Sequence, residues 1–244
     1  MAEPSYWART RAPRHSLTFA LPLLLAYEAL AFLLSGDAIA GVRNGADVLL
    51  KSAFTMLGGR HGLTLFGLLL LGVGAWLVVR DRKSNGPVES RLFLGMLLES
   101  LVYAGCLGFL ASRLTVLLLG QRSLALAQGG FERFGFTTQV MISLGAGIYE
   151  ELLFRVLLVS GFALLARKLL GWRRGPSAAV AVVVAALAFS AFHYIGPFGD
   201  RFATDSFTFR AVAGLLFSGL YLGRGFGIVA WSHALYDLLL AITR

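Results

Sequence analysis

Apolar stretches of 16 to 29 residues alternate along the chain with short polar segments rich in arginine. A helix needs about 20 mostly apolar residues to cross the hydrocarbon of a bilayer. Runs that meet or approach this requirement occupy residues 16–36, 62–79, 92–112, 138–166, 177–195, 208–223 and 226–241. They are too long and too unalternating for barrel strands, and a backbone in lipid must bond to itself, so they read as helices. The pattern predicts an all-α fold, a polytopic transmembrane bundle of about seven spans. The third run stays apolar to Leu119, which allows an eighth as a bent or additional segment. The last two runs are short and parted only by Leu222 to Gly225, as in a tight helical hairpin.

Composition agrees with the pattern. Of 244 residues, 57% are hydrophobic and 14% charged, whereas a soluble domain carries about a quarter charged residues. No polar stretch is long enough for a soluble domain. The single cysteine, Cys106, rules out an intramolecular disulfide and a thiolate metal cluster. A net charge of +9 would raise nucleic-acid binding in a soluble protein. Here the basic residues lie between apolar runs and suit anionic lipid headgroups, so membrane lipids are the expected partner and nucleic acid is not. Twelve basic residues fall on the side of the N-terminus and nine on the other. The dense clusters Arg80-Asp81-Arg82-Lys83 and Arg173-Arg174 share the N-terminal side, which makes a cytoplasmic N-terminus the preferred orientation. Arg9, Arg11 and Arg14 before the first run, with Ala38-Ile39-Ala40 after it, also fit a cleaved signal peptide. The run exceeds a usual signal core and contains Glu28, so a retained first helix is expected.

One apolar run holds charges near its middle: Glu150, Glu151 and Arg155. At about 2.5–3.5 kcal/mol each at a helix centre, three such residues cost roughly 8–10 kcal/mol without compensation. Glu151 and Arg155 stand at i, i+4 and can pair on one face. Glu150 lies about 100° around the helix and need not share that pair. Two later runs carry matching groups. His193 ends an otherwise apolar run, four residues after Phe189, and His233 and Asp237 stand at i, i+4 on the last. Lone charges such as Glu28 and Glu99 read more simply as structural ion pairs between helices. Buried groups on three runs need partners, and the cheapest partners are each other, so one shared polar cavity is expected.

The order E-E-x-x-x-R (Glu150, Glu151, Arg155), F-x-x-x-H (Phe189, His193) and H-x-x-x-N/D (His233, Asp237) resembles the CPBP family. These are the intramembrane CAAX-processing and bacteriocin-processing endoproteases, also called Abi proteins. The resemblance covers roughly residues 138–241, a catalytic core, while residues 1–137 match only in hydrophobicity, as family-variable transmembrane helices. It implies an all-helical bundle in a membrane, such as the bacterial cytoplasmic membrane, acting on a membrane-anchored or lipidated protein or peptide. It implies that Glu150, helped by His193, activates water, that Glu151 and Arg155 support the site and contact substrate, and that His233 and Asp237 form the oxyanion side. Peptide hydrolysis needs such a base and such donors. Many members have asparagine at the position of Asp237, and an ionised aspartate donates no hydrogen bond. Asp237 is then protonated, orients His233, or ligates a metal.

That last choice keeps a zinc enzyme in view, with Glu150, His193, His233 and Asp237 as ligands; catalysis without a cofactor is the favoured reading. Other intramembrane proteases fit less well. The chain has no H-E-x-x-H and no G-x-S-x-G, and Gly196 to Asp200 only loosely matches an aspartyl type. A non-catalytic scaffold or immunity protein is the remaining alternative. A transporter should show paired broken helices in two related halves, and none is evident.

Overall fold

A computed structural model of the protein describes residues 4–35, 42–120 and 134–243, and all regular structure among them is helical. The helices are α1 (Tyr6–Arg11), α2 (Pro13–Ser35), α3 (Gly45–Gly58), α4 (Gly62–Asn85), α5 (Arg91–Leu119), α6 (Phe136–Gly145), α7 (Ser160–Leu169), α8 (Arg174–Phe192), α9 (Thr204–Arg224) and α10 (Phe226–Thr243). Two π-helical stretches, Ala146–Glu150 and Leu152–Val159, join α6 to α7. The residues that cap these stretches keep right-handed helical backbone, so residues 136–169 form one continuous helix with a widened middle.

Six described segments are long and apolar enough to cross a membrane: Pro13–Leu34, Gly45–Asn85, Arg91–Leu119, Arg174–Phe192, Thr204–Arg224 and Phe226–Thr243. The seventh expected run, 138–166, is helical throughout but falls outside this set, because it is divided by π turns and carries the three charges. The eighth span is corrected: α5 continues unbroken to Leu119, so its end belongs to the same helix. Leu222 to Gly225 does form a tight corner. Only Gly225 separates α9 from α10, at φ 82°, a left-handed conformation natural to glycine. The sequence pattern missed α3. Its 14 residues include Asp47 and Lys51, so it is too short and too charged to look like a span. A 3-10 turn at Gly59–His61 folds it back on α4, where the rings of Phe54 and Phe66 meet at 5.2 Å.

The core is organised around α10, which is buried along Gly227, Ile228, Val229, Ala230, Ser232, His233 and Ala234. Small residues let neighbouring helices come close. The Gly227 N–H donates to Ser16 Oγ of α2 at 2.7 Å, and Trp231 Nε1 donates to the Phe19 carbonyl at 2.7 Å. On its other flanks α10 packs Val229 with Leu107 of α5 and Phe217 of α9, and Ala230 and Ala234 with Leu144 and Ile148. Large apolar side chains such as Phe32, Leu68, Trp76 and Leu117 point outward from the bundle, as in a protein facing lipid. The chain is an integral membrane protein.

Glu28 and Glu99, expected as structural pairs, are both paired. Glu99 accepts from Arg224 Nη2 at 2.7 Å, which ties α5 to the end of α9, and the Trp7 ring stacks on the same guanidinium at 4.3 Å. Tyr6 donates to Glu99 at 3.0 Å, and burial together with that carboxylate pushes the Tyr6 hydroxyl up to about 12. Glu28 pairs with Arg43 at 2.8 Å and Lys51 at 2.9 Å. Helix α2 contributes Leu23, Tyr27 and Ala31 to the core. The Ala38 to Ala40 stretch weighed as a cleavage site lies outside the described residues.

Candidate active site

The widened helix carries Glu150, Glu151 and Arg155 into the centre of the bundle, against α10. Gly147 makes this approach possible: a Cβ there would meet the Ala230 carbonyl and lie 2.8 Å from the Ala234 Cβ. His233, between those two alanines, is thereby set beside both glutamates. Its Nδ1 stands 2.6 Å from Glu151 Oε1. A carboxylate can only accept, so Nδ1 carries the proton and Nε2 faces the other way. There Nε2 is 4.0 Å from Glu150 Oε2 and 3.8 Å from Asp237 Oδ2. Neither separation is short enough for a direct hydrogen bond.

Glu151 and Arg155 form the i, i+4 pair expected from their spacing, Nε to Oε2 at 3.1 Å, with both side chains at most 1% exposed. The contact is ionic rather than a well-aligned hydrogen bond, and neither Nη1 nor Nη2 has a hydrogen-bond partner among the described residues. Aromatic faces take their place, with the guanidinium 4.6 Å from the Phe189 ring and 5.6 Å from Phe217. Those rings also frame the histidines. Phe217 stacks on His233 at 4.5 Å, and Phe189 meets His193 edge-on at 4.9 Å. Phe189 of the F-x-x-x-H motif is therefore a wall shared by Arg155 and both histidines.

His193 caps the C-terminal end of α8. Its Nδ1 lies 2.8 Å from the Phe189 carbonyl, which can only accept, so the neutral ring presents the Nε2 lone pair. His193 is half-buried and close enough to Glu150 for the two to interact electrostatically. Asp237 is also half-buried, at 22%. All six residues singled out in the sequence thus gather at one place, where α8, α10 and the widened helix meet.

A seventh polar side chain in this place was not foreseen. Asn44 Nδ2 donates to Glu150 Oε1 at 2.8 Å, across 106 residues of sequence. An asparagine before an apolar run, with Asp47 in the first turn, is a helix-start signal, but the short helix behind it drew no attention. Glu150 Oε2, by contrast, is buried with no hydrogen-bond partner among the described residues. Among those residues no group of three His, Cys, Asp or Glu side chains is arranged to hold a metal ion.

Comparison with known proteins adds the family. Residues 133–239 match the family described as type II CAAX prenyl endopeptidase Rce1-like. No curated protein and no solved structure matches the chain. The matched segment contains the two glutamates, the arginine, both histidines and Asp237, and it leaves out Asn44. Residues 133–239 of this integral membrane protein are thus similar to the CAAX endopeptidase (CPBP) family.

Proposed function

We propose that the protein is an intramembrane endopeptidase that hydrolyses a peptide bond in a membrane-anchored or lipidated substrate, using water activated by Glu150. The observation that carries the reading is the convergence of Glu150 Oε2 and Asp237 Oδ2 on His233 Nε2, at 4.0 and 3.8 Å, beyond direct hydrogen-bond distance. One oxygen atom can hydrogen-bond two atoms that far apart, at about 2.8 Å from each. A water held there touches a buried carboxylate oxygen that has no protein partner among the described residues.

In this reading Glu150 takes a proton from the water as its oxygen attacks the scissile carbonyl carbon. The tetrahedral oxyanion then needs a donor. His233 supplies one at Nε2 when protonated, its positive charge balanced by Glu151 at Nδ1 and by Asp237. Glu150 returns the proton to the leaving amine as the C–N bond breaks. His193, with its Nε2 lone pair, assists Glu150 at the opposite side of the water. Glu151 and Arg155 hold His233 and line the substrate side. The substrate class is a prenylated or otherwise lipid-anchored tail, which would reach the site from the bilayer. The N-terminus lies in the cytoplasm, and no cofactor takes part; zinc is the alternative.

The test is cleavage of a farnesylated peptide ending in a CAAX tetrapeptide by the purified protein in lipid vesicles, with and without chelator, alongside elemental analysis. The reading expects chelator-resistant cleavage by the parent and substantial cleavage by Asp237→Asn, with a changed pH profile. Stoichiometric zinc, chelator-sensitive cleavage and an inactive Asp237→Asn would replace it with a zinc mechanism. No cleavage of any lipidated peptide, with the parent folded, would favour a scaffold.

A further inference from the structure

We infer that Asn44, outside the matched segment, is a positioning residue that fixes which oxygen of Glu150 faces the water. The inference rests on the proposed role of Glu150. Asn44 is the N-cap of α3, and its Oδ1 accepts the Ala46 N–H at 2.9 Å. With the amide oxygen held by that donor, Nδ2 must point the other way, towards Glu150 Oε1 at 2.8 Å. Only this orientation satisfies both the backbone N–H and the carboxylate. Glu150 is thereby engaged through Oε1 and keeps Oε2 on the side of His233.

The backbone around Asn44 is pinned as well. Its N–H donates to the Tyr27 hydroxyl at 3.2 Å, and that hydroxyl donates to Asp47 at 2.7 Å. Around this pair two cations and two anions form a charge-balanced cluster. Arg43 reaches Asp47 at 2.7 Å and Glu28 at 2.8 Å, while Lys51 reaches Asp47 at 2.8 Å and Glu28 at 2.9 Å. Tyr149, the neighbour of Glu150, donates to Glu28. The cluster therefore grips the chain on both sides of the Asn44–Glu150 bond. Gly145 lets the helices meet closely enough, since a Cβ there would lie 2.7 Å from the Asn44 Cβ.

Helix capping alone does not require asparagine, because serine and aspartate cap equally well. Serine is the informative replacement. It keeps an acceptor for Ala46 N–H, introduces no charge, and is too short to reach Glu150. A merely structural Asn44 leaves Asn44→Ser close to the parent. A positioning Asn44 predicts a kcat on the farnesylated peptide lowered by about ten- to a hundredfold, the range of a hydrogen bond to a charged group, with KM little changed. A parallel measurement needs no turnover: the unfolding equilibria of Asn44→Ser, Glu150→Ala and the double variant in mixed micelles. Coupling of about tenfold in the folded-to-unfolded ratio is expected. Additive effects on stability, or parent-like kcat in Asn44→Ser, would overturn the inference. Cleavage that survives Glu150→Gln would instead sink the catalytic reading of Glu150, with the coupling still measuring whether the two side chains are bound to each other.

Discussion

Arg155 holds a positive charge on a side chain that is 1% exposed, with Glu151 as its ionic partner and two phenyl rings as its remaining surroundings. Removing one member of a buried pair leaves the other charge uncompensated, typically at a cost of about 3–5 kcal/mol. Arg155→Ala should therefore lower the unfolding midpoint strongly and activity with it. Glu150→Gln should behave differently. Its amide oxygen still accepts from Asn44, so the variant should unfold near the parent's midpoint while losing cleavage. Equal destabilisation by the two substitutions, measured side by side in detergent, would mark the whole group as a structural ion network. The residues of this group were legible because charge in an apolar run demands an explanation. Asn44 was not, because an uncharged N-cap raises no such demand and its partner lies 106 positions away.

At the scale of elements, the site depends on how closely helices pass one another. Gly147 sits under α10 against Ala230 and Ala234. Gly147→Ala should force α10 outward, at about 1–3 kcal/mol, the usual cost of overpacking. It should also reduce activity more than its loss of stability explains, because His233 rides on the displaced helix. Retained kcat in a measurably destabilised Gly147→Ala would show that the His233 position tolerates such movement. The long apolar helices could be read from hydrophobic runs within a few residues. The widened turns at Ala146–Glu150 and Leu152–Val159 could not, since no residue type marks a π turn. Such turns occur often at functional sites, and here they carry Glu150 and Arg155 and flank Glu151. The half-length α3 escaped because burial against α2 and α4, rather than its own hydrophobicity, holds it in place.

Across the whole molecule, polar bonds at one end of the bundle tie the N-terminal helices to the rest. Arg14 pairs with Asp81 at 3.1 Å, and Glu89 accepts from Arg91 at 2.8 Å and from Arg9. His15 accepts the Glu89 N–H at 3.0 Å and donates through Nδ1 to the Arg9 carbonyl at 2.8 Å. The Arg91 and Arg9 guanidinium groups hold the Glu89 carboxyl below its ordinary value of 4.5. A carboxyl lowered on folding adds stability above its unfolded value and loses it as pH falls through the folded one. The contribution of Glu89 should thus be present at pH 7 and fade below 4.5. Glu89→Gln should then narrow the difference between unfolding midpoints measured at pH 7 and pH 4; an unchanged difference would show that the pair adds nothing. The central claim, that Glu150 drives peptide hydrolysis within the membrane, is tested most directly by comparing protein termini in membranes containing either the parent or Glu150→Gln at equal abundance. The account predicts a set of membrane-associated proteins with new termini in the parent membranes alone. Identical termini in both would contradict it.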